Sequence, residues 1–287
     1  MADPFRFKEH IDELRRRLRV AFATLAASVL GFLLLPLNPS ELLSFTAVYY
    51  TTPVSLFLNR VVQDVLPEHW SLIPVRVGAP LEIVFVASLI LGLALDMPVL
   101  AYQTFKFIGP ALDEGERRMV YPVVASATVL FLTGLLFGYF ILAKFIFVAM
   151  APFYAAVGLS QPYLIDVSDF YAVVFLSVLF SGVAFTSPVF VFLLIRFGVL
   201  SPRFFSKNRP VIWLVTFGVT AFVTPDGGPF LDVILFVPVI LLLELAVLVG
   251  KRYAPRAESP QGPLCRHCGE PLVRSDVFCP SCGRAVA

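Results

Sequence analysis

The sequence predicts an all-α membrane protein in which six transmembrane helices form a curved, groove-forming bundle, followed by a small C-terminal module with four cysteines. Three observations predict this fold. Of the 287 residues, 58% are hydrophobic and 15% are charged, and the mean hydropathy is +0.85, so the chain is more apolar than soluble domains are. The apolar residues are grouped in six long segments, and the composition changes abruptly to a polar, cysteine-containing tail after Gly250.

A transmembrane helix requires about 20 mostly apolar residues. On this criterion we predict six spans, at about Leu18–Leu37, Leu81–Phe105, Met119–Phe147, Phe170–Val199, Val211–Val223 and Phe230–Gly250. The fifth is the shortest, because only about fourteen residues separate Arg209 from the turn Thr224–Pro229. We therefore expect a thinned bilayer or a water-filled recess beside the fifth and sixth spans.

Lysine and arginine residues are distributed unequally between the two sides of the six spans. One side carries Arg60 and Arg76, and the other carries most of the rest: Arg6, Lys8, Arg15, Arg16, Arg17, Arg19, Lys106, Arg117, Arg118, Arg196, Arg203, Lys207, Arg209, Lys251, Arg252 and Arg256. Because loops rich in these residues stay in the cytoplasm, we expect both termini to be cytoplasmic. A net charge of +2 without a basic patch gives no support for a nucleic-acid partner.

The external side of this topology has three connections. The first is long, at about Asn38–Pro80, and its stretch Leu42–Leu58 is apolar enough to form an interfacial or re-entrant helix. The second contains Ser160–Asp169, and the third is the tight turn Thr224–Pro229. No internal repeat is visible, which disfavours a transporter built from inverted halves.

The segment Phe7–Leu18, ahead of the first span, is predicted to be an amphipathic helix. Ile11, Leu14 and Leu18 share one face of it, and Glu13 lies on a charged face that would stay in water. Glu13 is thus the first candidate functional residue. The alternative is that Glu13 with Arg17, and Asp12 with Arg16, only form four-apart pairs that stabilise the helix.

Polar residues inside the spans are further candidates, because ionisable groups are costly in a bilayer. Asp96 lies in the second span and Glu244 in the sixth, and either a hydrogen bond between helices or a role in transport explains them. Three prolines, Pro98, Pro188 and Pro238, also lie inside spans, where they bend helices. Bent helices favour a concave groove over a close-packed bundle.

Several stretches, in order, resemble the TatC family, the multi-spanning receptors of the twin-arginine protein translocase. They are His10–Leu18, Pro98–Leu112 followed by Glu116–Arg118, Phe137–Phe140, Thr224–Asp226, and Pro238 with Glu244. The resemblance covers about residues 5–252. It implies a non-enzymatic core subunit in a prokaryotic cell membrane that binds twin-arginine signal peptides of folded preproteins at the cytoplasmic face. It also implies export driven by the proton-motive force, small single-span TatA/TatB-like partners, and a homo- or hetero-oligomer in the lipid bilayer.

The same resemblance implies which residues bind the signal peptide. Two arginines require two acidic partners, and by resemblance these are Glu13 and Glu116, because a planar guanidinium is bound best by a carboxylate. Arg15 and Arg17 match the arginines of the first motif, and we expect them to position the neighbouring carboxylates. Gln103, in the second motif, completes the predicted binding set.

The sequence departs from the family pattern at the fourth span. Members commonly have an acidic residue two positions before the proline, whereas this chain has Thr186 before Pro188. Any role that needs a charge at that position is in doubt, and Asp96 is a candidate substitute. Before Glu116, a histidine often seen in the family is replaced by Gly115.

The tail forms a separate predicted module. We divide the chain into a membrane domain at 1–252, a linker at 253–263 and a zinc ribbon at 264–287. Two cysteine pairs, each followed by glycine, are spaced to bind one structural zinc ion in a tetrahedral site: Cys265, Cys268, Cys279 and Cys282. Disulfides are disfavoured because we place the tail in the reducing cytoplasm.

Two other functions are compatible with parts of the sequence. One is a secondary transporter of a small solute that uses Asp96 and Glu244 as proton carriers. The other is a membrane-anchored zinc-ribbon adaptor whose spans only tether the tail. No phosphate-binding loop, metalloprotease motif or nucleophile elbow is visible, so we expect no enzymatic activity.

Overall fold

The computed structural model describes residues 4–35, 52–108, 120–158, 162–223 and 229–253. In chain order the elements are α1 (Pro4–Leu34), α2 (Pro53–Val65), β1 (Trp70–Ile73), α3 (Ala79–Ile108), α4 (Val120–Phe137), a π-helical turn (Gly138–Leu142), α5 (Ala143–Ala156), β2 (Tyr163–Asp166), α6 (Val167–Arg196), α7 (Pro202–Lys207), α8 (Arg209–Val223) and α9 (Pro229–Tyr253).

Five of the helical segments are long and apolar enough to cross a membrane: Asp12–Leu34, Ala79–Lys106, Tyr121–Ala156, Val167–Arg196 and Asp232–Tyr253. They coincide with five of the six predicted spans. The remaining predicted span is the shorter apolar helix Arg209–Ala221, within α8, so α8 is short as expected. The third span is longer than predicted, because α5 continues to Ala156, beyond the predicted end at Phe147.

The long helices share one end, at which α1, α4 and α8 begin and α3, α6 and α9 end; we call it the basic end. Helices α1 and α3 are antiparallel and are joined by a hydrogen bond from Thr24 to Asp96. Helices α6 and α9 are parallel, and the side chain of Ile195 lies over Gly250 where they meet. The basic end carries most of the arginine and lysine residues of the described helices, as the charge distribution predicts.

The tightest helix contact is between α4 and α6. A Cβ atom placed on Gly134 would lie 2.6 Å from the carbonyl oxygen of Ser181, and one on Gly138 would lie 2.7 Å from the Cα of Val178. Small residues at such positions let two membrane helices approach until their backbones touch. The pair therefore forms the centre of the bundle, with α3 and α9 packed around it.

At the end of the bundle opposite the basic end lies an outer layer of α2 and a two-stranded parallel sheet, in which Trp70 pairs with Tyr163 and Ile73 with Asp166. The sheet corrects the expectation of an all-α fold. Its strands have only four residues each and lie far apart in the sequence, so neither shows a strand pattern. Ring contacts with Tyr163, at 5.2 Å, and with Phe147, at 5.8 Å, bury the Trp70 side chain against the bundle.

The helix predicted at Leu42–Leu58 is described only in part. Residues 53–58 are helical and belong to α2, which begins at Pro53 and continues to Val65, and residues 42–51 lie outside the described residues. The start of α2 is set locally, because Thr52 accepts a hydrogen bond from the backbone N–H of Ser55 and Pro53 occupies the first turn. Tyr139 then holds α2 to the bundle by donating a hydrogen bond to Asp64 at 2.9 Å.

Candidate functional site

Glu13 lies on α1, where it contacts Arg17 one turn later. The Nη2 group of Arg17 donates to Oε1 of Glu13, and the side chains are 29% exposed for Glu13 and 10% exposed for Arg17. The four-apart pair expected from the sequence is therefore present. The other expected pair is not, since Asp12 and Arg16 are both exposed and form no ion pair with each other.

Arg17 is buried, although it carries a charge. Its Nε and Nη1 groups have no hydrogen-bond acceptor among the described residues. A buried guanidinium normally has all its donors paired, so the described residues alone do not complete its surroundings. Arg15, by contrast, is exposed on the same helix.

The buried face of α1 packs on α3 through polar contacts. Thr24 donates to Oδ2 of Asp96 at 3.2 Å, and Ser28 approaches the carbonyl oxygen of Gly92 at 3.4 Å. A Cβ atom on Gly92 would lie 2.8 Å from Cγ2 of Val29, so the two helices are in close contact here. Asp96 is 4% exposed, and its partner is on another helix.

The register of this pair relates Gln103 to Arg17. Thr24 lies opposite Asp96 and Ser28 opposite Gly92, so each step toward the N-terminus of α1 is matched by a step toward the C-terminus of α3. Continuing that register brings Gln103 level with Arg17, and Glu13 level with the last turn of α3. Glu13, Arg17 and Gln103 thus lie at the basic end of one helix pair, with Asp96 about two turns deeper.

The end of α3 is also attached to α4. Tyr102 stacks on Tyr121 with ring centroids 6.4 Å apart, and Nζ of Lys106 lies 5.5 Å from the centroid of the Tyr102 ring. Glu116 lies outside the described residues, in the segment 109–119. That segment joins the end of α3 to the start of α4, and both lie at the basic end, as does Glu13.

Thr186 and Glu244 lie apart from this end of the α1–α3 pair. Thr186 is buried in α6, and its hydroxyl donates within the helix to the carbonyl oxygen of Val183 at 2.6 Å. Glu244 joins α9 to α8, because it accepts from Nη2 of Arg209 at 3.0 Å and from Nε1 of Trp213 at 3.3 Å. A carboxylate with two such partners serves as a link between helices.

The four cysteines lie outside the described residues. Within the described ranges there is no group of three or more histidine, cysteine, aspartate or glutamate residues that could bind a metal ion.

Sequence reasoning missed the partners of the intramembrane carboxylates. Thr24, the partner of Asp96, is one hydroxyl in an apolar run and carries no signal of its own. Arg209 and Trp213 do carry a sequence signal. They lie four residues apart at the start of α8, so they share a helix face and can contact the same partner.

Comparison with known proteins identifies relatives over most of the chain. The family model described as Sec-independent protein translocase protein (TatC) matches residues 9–238, and a zinc-ribbon domain model matches residues 264–286. The Sec-independent protein translocase protein TatC of Azotobacter chroococcum is 31% identical over 87% of this chain and 90% of its own length. The TatC protein of Escherichia coli is 28% identical over 87% and 90%.

A solved structure agrees with these relatives. The crystal structure of the twin-arginine translocase receptor TatC in DDM superposes with a TM-score of 0.66 and 27% identity, covering 84% of this chain and 99% of that one. The resemblance found in the sequence is thereby confirmed in both sequence and fold. A family match over most of the chain, together with a 31% identical relative, shows that this chain belongs to the TatC family of Sec-independent protein translocase proteins.

Proposed function

We propose that this TatC subunit of the twin-arginine translocase is the receptor for twin-arginine signal peptides, and that Glu13 and Glu116 bind the two arginines. The single observation that carries the proposal is the TatC family match over residues 9–238, which spans both carboxylates. It is supported by the solved relative, described as a twin-arginine translocase receptor.

The surroundings of Glu13 suit the recognition of a guanidinium group. A carboxylate that is 29% exposed remains accessible to a ligand, and its charge is screened less than on an open surface. Its contact with buried Arg17 fixes the direction of the side chain before the ligand arrives. Two carboxylate oxygens can accept from more than one arginine, so the contact with Arg17 does not exclude a second guanidinium.

Charge balance explains why a second carboxylate is needed. Arg17 compensates the charge of Glu13, and Arg15, Arg16 and Arg19 add positive charge to the same helix. This segment alone would repel a peptide with two arginines. The segment 109–119 holds three acidic residues, among them Glu116, and two arginines, Arg117 and Arg118, so its net charge is −1 and Glu116 can supply the second carboxylate.

The test is the export of a reporter protein that carries a twin-arginine signal peptide. We expect Glu13→Ala and Glu116→Ala each to reduce export strongly, and the double variant to abolish it. Asp12→Ala is the matched control, because Asp12 is exposed on the same helix and is not part of the Glu13–Arg17 contact. Normal export by both single variants, at wild-type protein levels, would show that the assignment is wrong.

The remaining features of the proposed receptor follow from family membership and charge. Both termini are cytoplasmic, small single-span subunits assemble with the chain, and export is driven by the proton-motive force. Cysteine labelling of added sites at the two ends, with a reagent that does not cross membranes, tests the orientation. Labelling of the basic end from outside intact cells would contradict it.

For the tail, we propose that residues 264–287 form a separate zinc ribbon in which Cys265, Cys268, Cys279 and Cys282 bind one structural zinc ion. The zinc-ribbon match and the cysteine spacing support this. The purified full chain should contain one zinc ion per molecule, and the chain with the four cysteines changed to serine should contain none. Full export after deletion of residues 254–287 would also exclude the adaptor function.

A further inference from the structure

The basic end of the bundle contains a large apolar recess. Helices α4, α6 and α9 enclose about 500 Å³ there, open on one side. The lining is almost entirely apolar and contains no acidic residue; it includes Pro122, Ser126, Pro188, Phe192, Leu245 and Ala246. The one hydroxyl among these six, on Ser126, is satisfied within α4 by donating to the carbonyl oxygen of Val123 at 2.8 Å. Among the described residues, the recess therefore offers its occupant mainly apolar contacts, with the hydroxyl of Tyr253 as a further polar group of the lining.

The dimensions of the recess suit a single hydrocarbon chain. Along α9 it extends from Leu242 to Tyr253, which corresponds to about 16 Å of helix. This is close to the roughly 15 Å of one leaflet of the bilayer. One acyl chain of a phospholipid spans this same depth of a leaflet, so its length matches that of the recess.

The mouth of the recess is basic and partly fixed. Tyr253 lines it, and Arg196 donates from Nη1 to the carbonyl oxygen of Tyr253 at 2.7 Å. The Tyr253 ring packs edge to face on Phe192, with centroids 6.1 Å apart. Arg252 precedes Tyr253 and is exposed, whereas Lys251, also exposed, lies on the face of α9 opposite the residues that line the recess. Basic residues beside a cleft between helices are typical of sites for anionic lipid headgroups.

We propose that this recess binds one anionic phospholipid of the leaflet at the basic end. One acyl chain lies between α4, α6 and α9, and the phosphate lies beside Arg196 and Arg252. The site is separate from the proposed receptor site on α1 and α3, and it needs no signal peptide. An anionic lipid bound there would join the ends of α6 and α9 to the start of α4.

The proposal is tested by native mass spectrometry of the full chain in detergent. The chain is incubated with phosphatidylglycerol or with phosphatidylcholine that has the same acyl chains. We expect wild-type protein to retain one phosphatidylglycerol in preference to phosphatidylcholine. In parallel, a phosphatidylglycerol with a photoreactive acyl chain should label Leu245, Ala246 or Ser126 in the unaltered protein, so this part of the test does not depend on any variant folding.

Two pairs of variants separate the recess from general lipid contact. Ala246→Trp fills the recess, and Ala125→Trp places the same bulk on an exposed position of α4 outside it. We expect Ala246→Trp alone to weaken retention about tenfold or more, because the loss of two buried methylenes has that effect. Arg252→Gln should weaken it about fivefold, from the contribution of one basic residue near a lipid surface, and Lys251→Gln, on the opposite face of α9, should weaken it less.

The control for charge is Arg203→Gln with Lys207→Gln, which removes two exposed cations from α7 at the same end. Equal retention by Ala246→Trp and Ala125→Trp would overturn the proposal, as would labelling confined to residues outside the recess. Labelling of the recess by the apolar core of a photoreactive signal peptide, with release of the lipid, would assign it to the peptide and equally overturn the lipid site. Failure of the Glu13 and Glu116 export test would leave these lipid measurements unchanged.

Discussion

Replacing Gly134 by alanine tests the contact between α4 and α6 on which the rest of the bundle packs. The added Cβ would lie 2.6 Å from the carbonyl oxygen of Ser181 and 2.8 Å from the Cα of Gly182. Both atoms belong to the backbone, so no side chain can rotate to relieve the overlap. The two helices must separate by about 0.8 Å to restore the 3.4 Å at which ordinary contact begins.

The expected cost can be bounded. Overpacking of this kind destabilises by about 1–3 kcal/mol. Alanine gains up to about 1 kcal/mol over glycine from helix propensity, which offsets part of the cost. Subtracting that gain leaves a net loss of up to about 2 kcal/mol in the free energy of unfolding. This corresponds to a decrease in Tm of up to roughly 3 °C for a chain of this size.

The assay is thermal unfolding of the purified full chain in detergent. Gly218→Ala is the matched control, because it makes the same change on α8 at a position where no atom lies within 4 Å of the added Cβ. Its Tm should stay the same or increase slightly. If Gly134→Ala has a Tm equal to that of Gly218→Ala, the close α4–α6 contact does not exist as described.

Three further substitutions test the polar contacts. Glu244→Gln should keep export of a twin-arginine reporter near the wild-type level, because the amide oxygen still accepts one of the two hydrogen bonds from α8 and keeps the helices linked; complete loss would favour the solute-transporter function. Asp96→Asn should likewise keep export, since the amide oxygen still accepts from Thr24, and loss of export would show that the charge is needed. Tyr139→Phe removes the hydrogen bond to Asp64 and should lower the free energy of unfolding by about 1 kcal/mol. The effect is measured as a decrease in Tm, and an unchanged Tm would show that this bond does not hold α2.

The helices could be predicted from the sequence because their signal is local and strong. Apolar runs of membrane length identify five of these helices directly. The turn at Thr224–Pro229, which follows the fifth predicted span, indicates that the corresponding helix, α8, is short. The Glu13–Arg17 contact could be predicted for the same reason, since residues four apart share a helix face. What the sequence left open was whether this pair has only a structural role.

Contacts between distant residues could not be predicted. The partner of Asp96 is 72 residues away and that of Glu244 is 35 residues away, so each depends on how two helices are aligned. The small sheet could not be predicted for the same reason, because β1 and β2 belong to different loops and pair across a long separation in the sequence. Such pairings follow from helix register, for which an apolar run gives no signal.

The central claim is that Glu13 and Glu116 recognise two adjacent arginines. The most direct measurement is the affinity of the purified full chain for a twin-arginine signal peptide and for the same peptide with two lysines, using wild type, Glu13→Gln, Glu116→Gln and the double variant. We predict that wild type prefers arginine, that each single variant weakens binding by about 10–100-fold, and that the double variant no longer discriminates. Equal affinity of wild type and the double variant for the twin-arginine peptide would contradict the account.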